Sequence, residues 1–336
     1  MTLVHNISRQ SNMELLRVIS MIFIMVIHAQ FYCIPHSIPR WFIVIGADAG
    51  VNCFVLISGY FGIHPKIKSF SSFIFQILFF IFIGNMILFG DGKSASISYN
   101  IVSFSWFIRA YSTLYVFAPI LNAYAEKATQ KQFVWFLILW AVVEFVMGYT
   151  IDYLKFMRGY SFQAFILLYM TARYIRIHGG RIFSFAKCYD MLLYMAFTLA
   201  SAILMSFSES IGKLNGGEYY FRAYNSPLMI IASIYFMLFF SKLEIKHKAI
   251  NWAGKSAYAA FMFHCVVYEW YRNTCLEFYQ HNHYIVASLY SVLFILAMFT
   301  LALLMDQIRL VIWEGGIKFM NPVFRKIKSR FHNCSE

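Results

Sequence analysis

The 336-residue chain is 60% hydrophobic and 20% aromatic, and only 13% of its residues are charged, compared with ~25% in soluble domains. This composition excludes an ordinary soluble domain and predicts an integral membrane protein. The net charge of +13 does not indicate nucleic-acid binding, because the basic residues lie in short segments between apolar runs, as in membrane-surface loops. We therefore expect membrane lipids as partners, and no nucleic acid.

Ten apolar stretches are long enough, at about 20 residues each, to predict membrane-spanning helices. They cover residues 13–34, 42–62, 69–90, 105–124, 132–151, 161–178, 188–208, 225–242, 254–273 and 284–308. The longest polar connection, 209–224, contains Gly212, Gly216 and Gly217 and predicts a flexible loop. We expect residues 1–336 to form one all-α membrane domain, a bundle of about ten transmembrane helices without an appended extracytoplasmic domain.

Lysine and arginine predict the orientation of the bundle, because they accumulate in cytoplasmic loops. With the N-terminus inside, about 20 of the 28 basic residues fall in cytoplasmic segments, as the positive-inside rule requires. An even number of spans then places both termini in the cytoplasm.

The first span contains two isolated ionisable residues, Arg17 and His28. At ~100° and ~1.5 Å per residue they share nearly one helix face, roughly 16 Å apart. Intramembrane ionisable residues are costly and indicate function by default. We expect Arg17 near the cytoplasm and His28 in the outer half of the membrane, as two ends of one path. The alternatives are hydrogen bonding within a bundle and, for Arg17, a surface ion pair with Glu14.

Further ionisable residues are predicted at a similar depth. Asp48 in the second span and Glu144 in the fifth fall in the outer half, as His28 does. A carboxylate can orient an imidazole and stabilise its protonated form, so we expect Asp48 or Glu144 beside His28, which would act as a general base. No metal is expected, because neither His28 nor His264 has a second ligand at i+3 or i+4.

Several motifs together resemble acyltransferase family 3, the integral membrane O-acyltransferases of bacteria. The first span begins Glu14-Leu15-Leu16-Arg17 and reaches His28 after ten intervening residues. Residues 54–61 (FVLISGYF) are similar to the family's FFxxSGY motif. The other similar segments are Trp106-Phe107 with Tyr115 and residues 118–122 (APILN), Asn225-Ser226-Pro227, and residues 258–264 (YAAFMFH). They follow the family's order from about residue 12 to 270.

This resemblance implies transfer of an acyl group, usually acetyl, from cytoplasmic acyl-CoA to a hydroxyl of a cell-surface glycan. The acceptor would be a lipid-linked or polymeric O-antigen, capsule or exopolysaccharide unit, and the location a bacterial cytoplasmic membrane. The resemblance implies that His28 and Arg17 are catalytic. From the residues themselves we add Asp48 and Glu144 to the catalytic set, and we expect Arg109 and His264 to meet the acceptor. Acetyl-CoA would bind the basic residues Arg17, Lys66, Lys68, Arg173, Arg176 and Arg181.

The chain departs from the family pattern in two respects. Many members have an Arg-rich stretch after the SGY motif, whereas only Lys66 and Lys68 follow it here. Longer members add an extracytoplasmic hydrolase-like domain, and this chain shows none. Two other functions remain open from the sequence: a transporter or flippase for a lipid-linked sugar, because buried charges also mark transport paths, and a glycosyltransferase that uses a lipid-phosphate sugar. The oligomeric state is open as well.

Overall fold

The computed structural model describes residues 10–29, 31–34, 37–88, 106–151, 156–210 and 220–332, and these ranges contain helices and connections but no strand. In chain order the α-helices are α1 (Ser11–His28), α2 (Ile38–Phe61), α3 (Ile67–Leu88), α4 (Trp106–Lys127), α5 (Gln130–Val143), α6 (Phe162–Ile177), α7 (Lys187–Ser210), α8 (Pro227–Ser241), α9 (Lys248–Val266), α10 (Tyr268–His281) and α11 (Tyr284–His332). A π-helical segment, Glu144–Thr150, continues α5, and short 3-10 turns occur at Phe31–Cys33, Met157–Gly159 and Arg181–Phe183.

Local sequence signals explain several helix ends. The Ser37 hydroxyl accepts a hydrogen bond from the backbone N–H of Arg40 at the start of α2, and α2 ends at Gly62, whose φ of 77° favours glycine. A reciprocal capping box between Thr129 and Gln132 begins α5. These short-range contacts set where the helices start and stop before any packing is considered.

Helix α2 forms the centre of the bundle. It packs against α1, α6, α7 and α8. Most of its residues are buried, as expected for a helix that is surrounded by other helices. At Gly59 a Cβ atom would lie 2.8 Å from the Cα of Tyr169 on α6. The missing side chain therefore permits a close approach of α2 and α6.

Among the described residues, six helical segments are long and apolar enough to cross a membrane, so the protein is a multi-pass membrane protein whose described part is helical. These segments are Ser11–His28, Ile38–Phe61, Ile67–Met86, Gln130–Thr150, Lys187–Ser208 and Tyr284–Phe319. Every predicted span overlaps a helix, but several helices are shorter or more polar: α6 has 16 residues and α8 has 15. Because α6 and α8 are largely buried against other helices, they need less apolar length facing lipid. The count of ten and the cytoplasmic termini stay predictions.

One predicted span is wrong as a single helix. Residues 254–273 cover the end of α9 and the beginning of α10, which are separated at Val267. Helix α9 also begins six residues earlier than predicted, at Lys248. The predicted flexible loop 209–224 is helical up to Ser210, and residues 211–219 lie outside the described ranges.

Candidate active site

His28 is the last residue of α1, and its contacts define which ring nitrogen is available. Its Nδ1 lies 2.8 Å from the carbonyl oxygen of Ile24. Because a carbonyl oxygen can only accept, hydrogen bonding assigns the proton of a neutral imidazole to Nδ1 and leaves Nε2 with a lone pair. The geometry therefore provides a potential base at Nε2.

The ring of His28 lines a cavity of about 220 Å³ between α1, α2, α4, α9 and the segments that precede α6 and α8. Half of the ten lining residues are aromatic: Trp106, Phe107, Tyr160, Tyr224 and Phe261. The guanidinium-bearing Arg222 also lines it. An apolar cleft with a few convergent polar groups is the usual form of a ligand site, so we refer to this space as the His28 cavity.

Three rings pack together on one wall of the His28 cavity. The ring centroid of Trp106 lies 4.6 Å from that of Tyr160 and 5.5 Å from that of Tyr224, and the two tyrosine centroids are 4.7 Å apart. Burial raises the pKa of both tyrosine hydroxyls above the usual value. Both hydroxyls therefore stay protonated at neutral pH and can donate hydrogen bonds.

Arg222 binds Asp48 in a two-point ion pair. Its Nε lies 2.9 Å from Asp48 Oδ2, and its Nη2 lies 3.2 Å from Oδ1. This fork geometry orients the guanidinium beside His28. The sequence prediction did not single out Arg222. A carboxylate within an apolar span, such as that of Asp48, requires a cation or hydrogen-bond donors. That requirement was the available signal for a basic partner.

The partner expected for the imidazole differs from the one observed. At Nδ1 of His28 the structure has the Ile24 carbonyl oxygen, whereas Asp48 binds Arg222. Glu144 accepts a hydrogen bond from Asn225 Nδ2 at 3.2 Å and lines a separate cavity. The prediction placed His28, Asp48 and Glu144 at a similar depth, but depth does not determine which residues are neighbours within the membrane plane. The contacts above are therefore present in place of the predicted carboxylate–histidine pair.

The two residues predicted to meet the acceptor are placed differently. His264 is fully buried, and its ring centroid lies 5.1 Å from that of His28. Its Nδ1 lies 3.1 Å from the Ala260 carbonyl oxygen, so it shares the backbone contact seen at His28 without lining the cavity. Arg109 is exposed on α4 and does not line the His28 cavity either.

Arg17 lies outside the lining of the His28 cavity. Its Nη1 lies 2.5 Å from Glu14 Oε2, so the ion pair expected as an alternative is present. Phe107, which lines the cavity, stacks on Tyr111 with ring centroids 5.7 Å apart. The path from Arg17 to His28 stays a prediction.

The predicted donor-binding residues on α6 lie near the end of α2. Arg176 Nη1 donates to the Tyr60 hydroxyl at 3.1 Å. Arg173 is buried, and one of its nitrogens lies 3.9 Å from a carboxylate oxygen of Glu126. These two arginines are close to the SGY segment that contains Tyr60.

The other predicted donor-binding residues lie elsewhere. Lys68 lines a cavity of about 720 Å³ with Lys255, Arg309 and Lys318. The backbone N–H of Lys66 donates to the Tyr115 hydroxyl at 3.4 Å, and Arg181 is exposed in a 3-10 turn. Of the five basic residues predicted to bind the donor together with Arg17, Lys68 thus lines a cavity that the other four do not line.

Comparison with known proteins gives one match. The sequence model of a family described as an acyltransferase domain matches residues 10–306. This range contains every residue that lines the His28 cavity. No significant match was found among curated proteins or among solved structures.

Proposed function

The chain belongs to acyltransferase family 3, and on that premise we propose that it transfers an acetyl group from cytoplasmic acetyl-CoA to a hydroxyl of an extracytoplasmic glycan. The observation that carries this proposal is the His28 cavity, in which an imidazole with a free Nε2, an oriented guanidinium and an aromatic wall meet. We place the protein in a bacterial cytoplasmic membrane, with a cell-surface polysaccharide unit as acceptor.

His28 acts as the general base in this proposal. Its Nε2 removes the proton from the acceptor hydroxyl while that oxygen attacks the thioester carbonyl carbon. The carbon–sulfur bond then breaks, and the CoA sulfur leaves as a thiolate that takes up the proton carried by the imidazolium. The Ile24 carbonyl holds the ring in the required tautomer throughout.

Arg222 stabilises the negative charge that develops on the carbonyl oxygen during attack. Donors that are already oriented toward a developing charge contribute the most to such stabilisation. The two hydrogen bonds to Asp48 hold the guanidinium in place. Asp48 therefore supports catalysis by positioning Arg222 and does not need to contact His28.

The aromatic wall favours a carbohydrate as acceptor. Trp106, Tyr160 and Tyr224 offer flat apolar faces, and the two protonated tyrosine hydroxyls add polar groups at their rims. Aromatic side chains of this kind combine a large contact area with a hydrogen-bonding end, which suits the alternating apolar faces and hydroxyl edges of a sugar ring.

The donor approaches from the cytoplasmic side, where Arg17, Arg173 and Arg176 lie in this proposal. Arginine is suited to the phosphates of CoA because its planar fork makes paired hydrogen bonds to oxyanions. In this proposal the acetyl thioester enters from the Arg17 end of α1 and reaches the cavity wall formed by Phe107.

Glycan analysis of cells with and without the gene tests the activity itself. We expect loss of one acetyl ester per repeat unit while the polymer is otherwise intact. Loss of the whole polymer would contradict acylation and support the transporter, flippase or glycosyltransferase.

A matched pair of variants tests the role of His28. The amide of His28→Asn can still donate to the Ile24 carbonyl but has no base, so acetylation should fall by at least about 100-fold at an unchanged protein level. His281→Asn, at the exposed end of α10, is the control and should acetylate normally. Full acetylation by His28→Asn would remove His28 from the mechanism.

A further inference from the structure

A second cavity lies between α5, α6 and α8 and has a volume of about 380 Å³. Its lining is apolar except for Glu144, Thr171 and Asn225. Ile138 and Phe145, which also line it, are exposed on the outer surface of the bundle. The cavity therefore borders the surface that faces lipid, and we call it the lateral cavity.

Two buried polar side chains lie in this apolar lining. Glu144 is 1% exposed and Asn225 is 3% exposed. They share one hydrogen bond, from Asn225 Nδ2 to Glu144 Oε2 at 3.2 Å. Within the described part of the chain, Glu144 Oε1 and Asn225 Oδ1 have no hydrogen-bond partner. Burying such acceptors without a donor costs free energy, so the lateral cavity is complementary to a ligand that donates.

The backbone around Glu144 is built to hold this pair. Glu144 begins the π-helical segment, and π-helical turns occur frequently at functional sites. At Gly148 a Cβ would lie 2.7 Å from Asn225 Nδ2 and 2.9 Å from Glu144 Oε2. Glycine at this position leaves the space that the two polar groups occupy.

We propose that the lateral cavity binds the hydroxyl end of a neutral long-chain lipid. The hydroxyl donates to Glu144 Oε1, and the chain lies against the apolar residues of α5 and α8. A zwitterionic headgroup fits less well, because none of the described residues that line the cavity is basic and could balance a phosphate. The volume is at the lower end of the ~300–1,000 Å³ typical of small-molecule sites, which suits one hydroxyl with part of an alkyl chain.

This site is separate from the proposed acyl-transfer chemistry, although the two are adjacent in the chain. Tyr224 lines the His28 cavity, and the next residue, Asn225, lines the lateral cavity. The proposal does not depend on the acyl-transfer activity, and its test does not measure that activity.

The test uses the full-length protein in phosphatidylcholine nanodiscs and a photoreactive probe. The probe is a long-chain primary alcohol with a diazirine in its chain, and the matched control is its methyl ether, which cannot donate. After irradiation and digestion, mass spectrometry should find the alcohol attached to residues 137–148 and 225–231. We expect about tenfold more labelling by the alcohol than by the ether, which corresponds to about 1.4 kcal/mol for one buried hydrogen bond.

Three variants distinguish binding in the lateral cavity from general contact with lipid. Ala141→Phe fills the cavity and should abolish labelling, whereas Val142→Phe, at the neighbouring exposed position that does not line it, should label as the unmodified protein does. Glu144→Leu should remove the preference for the alcohol. If Glu144→Leu does not fold, the Ala141→Phe and Val142→Phe pair tests the site alone. Equal labelling by alcohol and ether, or unchanged labelling of Ala141→Phe, would overturn the proposal and leave only bulk lipid contact.

Discussion

At the scale of single residues, the ion pair beside His28 is asymmetric in its exposure. The Asp48 side chain is 2% exposed, whereas that of Arg222 is 24% exposed because it reaches the cavity. Removing either partner takes this ion pair away from the other charge, and the cost rises with the burial of the charge that remains. The loss of Arg222 should therefore be more harmful than the loss of Asp48.

We predict that Arg222→Gln lowers the free energy of unfolding by about 3–5 kcal/mol, the range for breaking a buried pair, and that Asp48→Asn lowers it by less. The double variant should be more stable than the sum of the two losses implies, because both single substitutions remove the same ion pair and that loss is counted twice in the sum. Unfolding of the purified protein in detergent, followed for all four proteins of the cycle, measures this coupling. Strictly additive losses would show that the pair contributes no coupling energy.

The sequence singled out His28 as a candidate base but did not predict the residues around it. An imidazole isolated in an apolar span is visible because its burial is costly, and helix periodicity gives its depth and its face. The partner of Asp48 is 174 positions away in the chain. Periodicity within one helix carries no information about which distant segment packs against it, so Arg222 and the aromatic wall became visible only in three dimensions.

At the scale of helices, two glycines in similar helical settings should respond in opposite ways to the same substitution. A Cβ at Gly59 would overlap the backbone of Tyr169 on the neighbouring helix, which cannot move aside as a flexible side chain would. A Cβ at Gly315 on α11 would have no neighbour within 4 Å. Gly59 is thus required by packing, whereas Gly315 is not.

We predict that Gly59→Ala lowers the free energy of unfolding by about 1–3 kcal/mol through overpacking. Gly315→Ala should leave it unchanged or raise it by up to ~1 kcal/mol, because alanine has the higher helix propensity. Thermal unfolding of the two variants in the same detergent makes the comparison. A Gly59→Ala protein as stable as Gly315→Ala would show that α2 and α6 can separate without cost.

Helix boundaries were predictable where a local chemical signal marks them. Ser37 and the Thr129–Gln132 box are readable as helix starts, because capping depends on residues within one turn. The break at Val267 between α9 and α10 has no proline or glycine beside it. The only change beside it is the appearance of Glu269 and Arg272, which the predicted span treated as its polar end rather than as the start of a second helix.

At the scale of the whole molecule, the predicted orientation has both ends of the chain in the cytoplasm. Green fluorescent protein fused after residue 336 should therefore fluoresce, and alkaline phosphatase fused at the same point should be inactive. The opposite result is expected for fusions after residue 282, in the connection between α10 and α11, which the positive-inside rule places outside. An active phosphatase at residue 336 would mean an odd number of crossings.

The length of α11 places different parts of one helix in different surroundings. Its 49 residues make a rod of about 74 Å, whereas the hydrocarbon layer is only about 30 Å thick. Because this helix is longer than the hydrocarbon layer is thick, one part of it lies in lipid and the remainder lies in water.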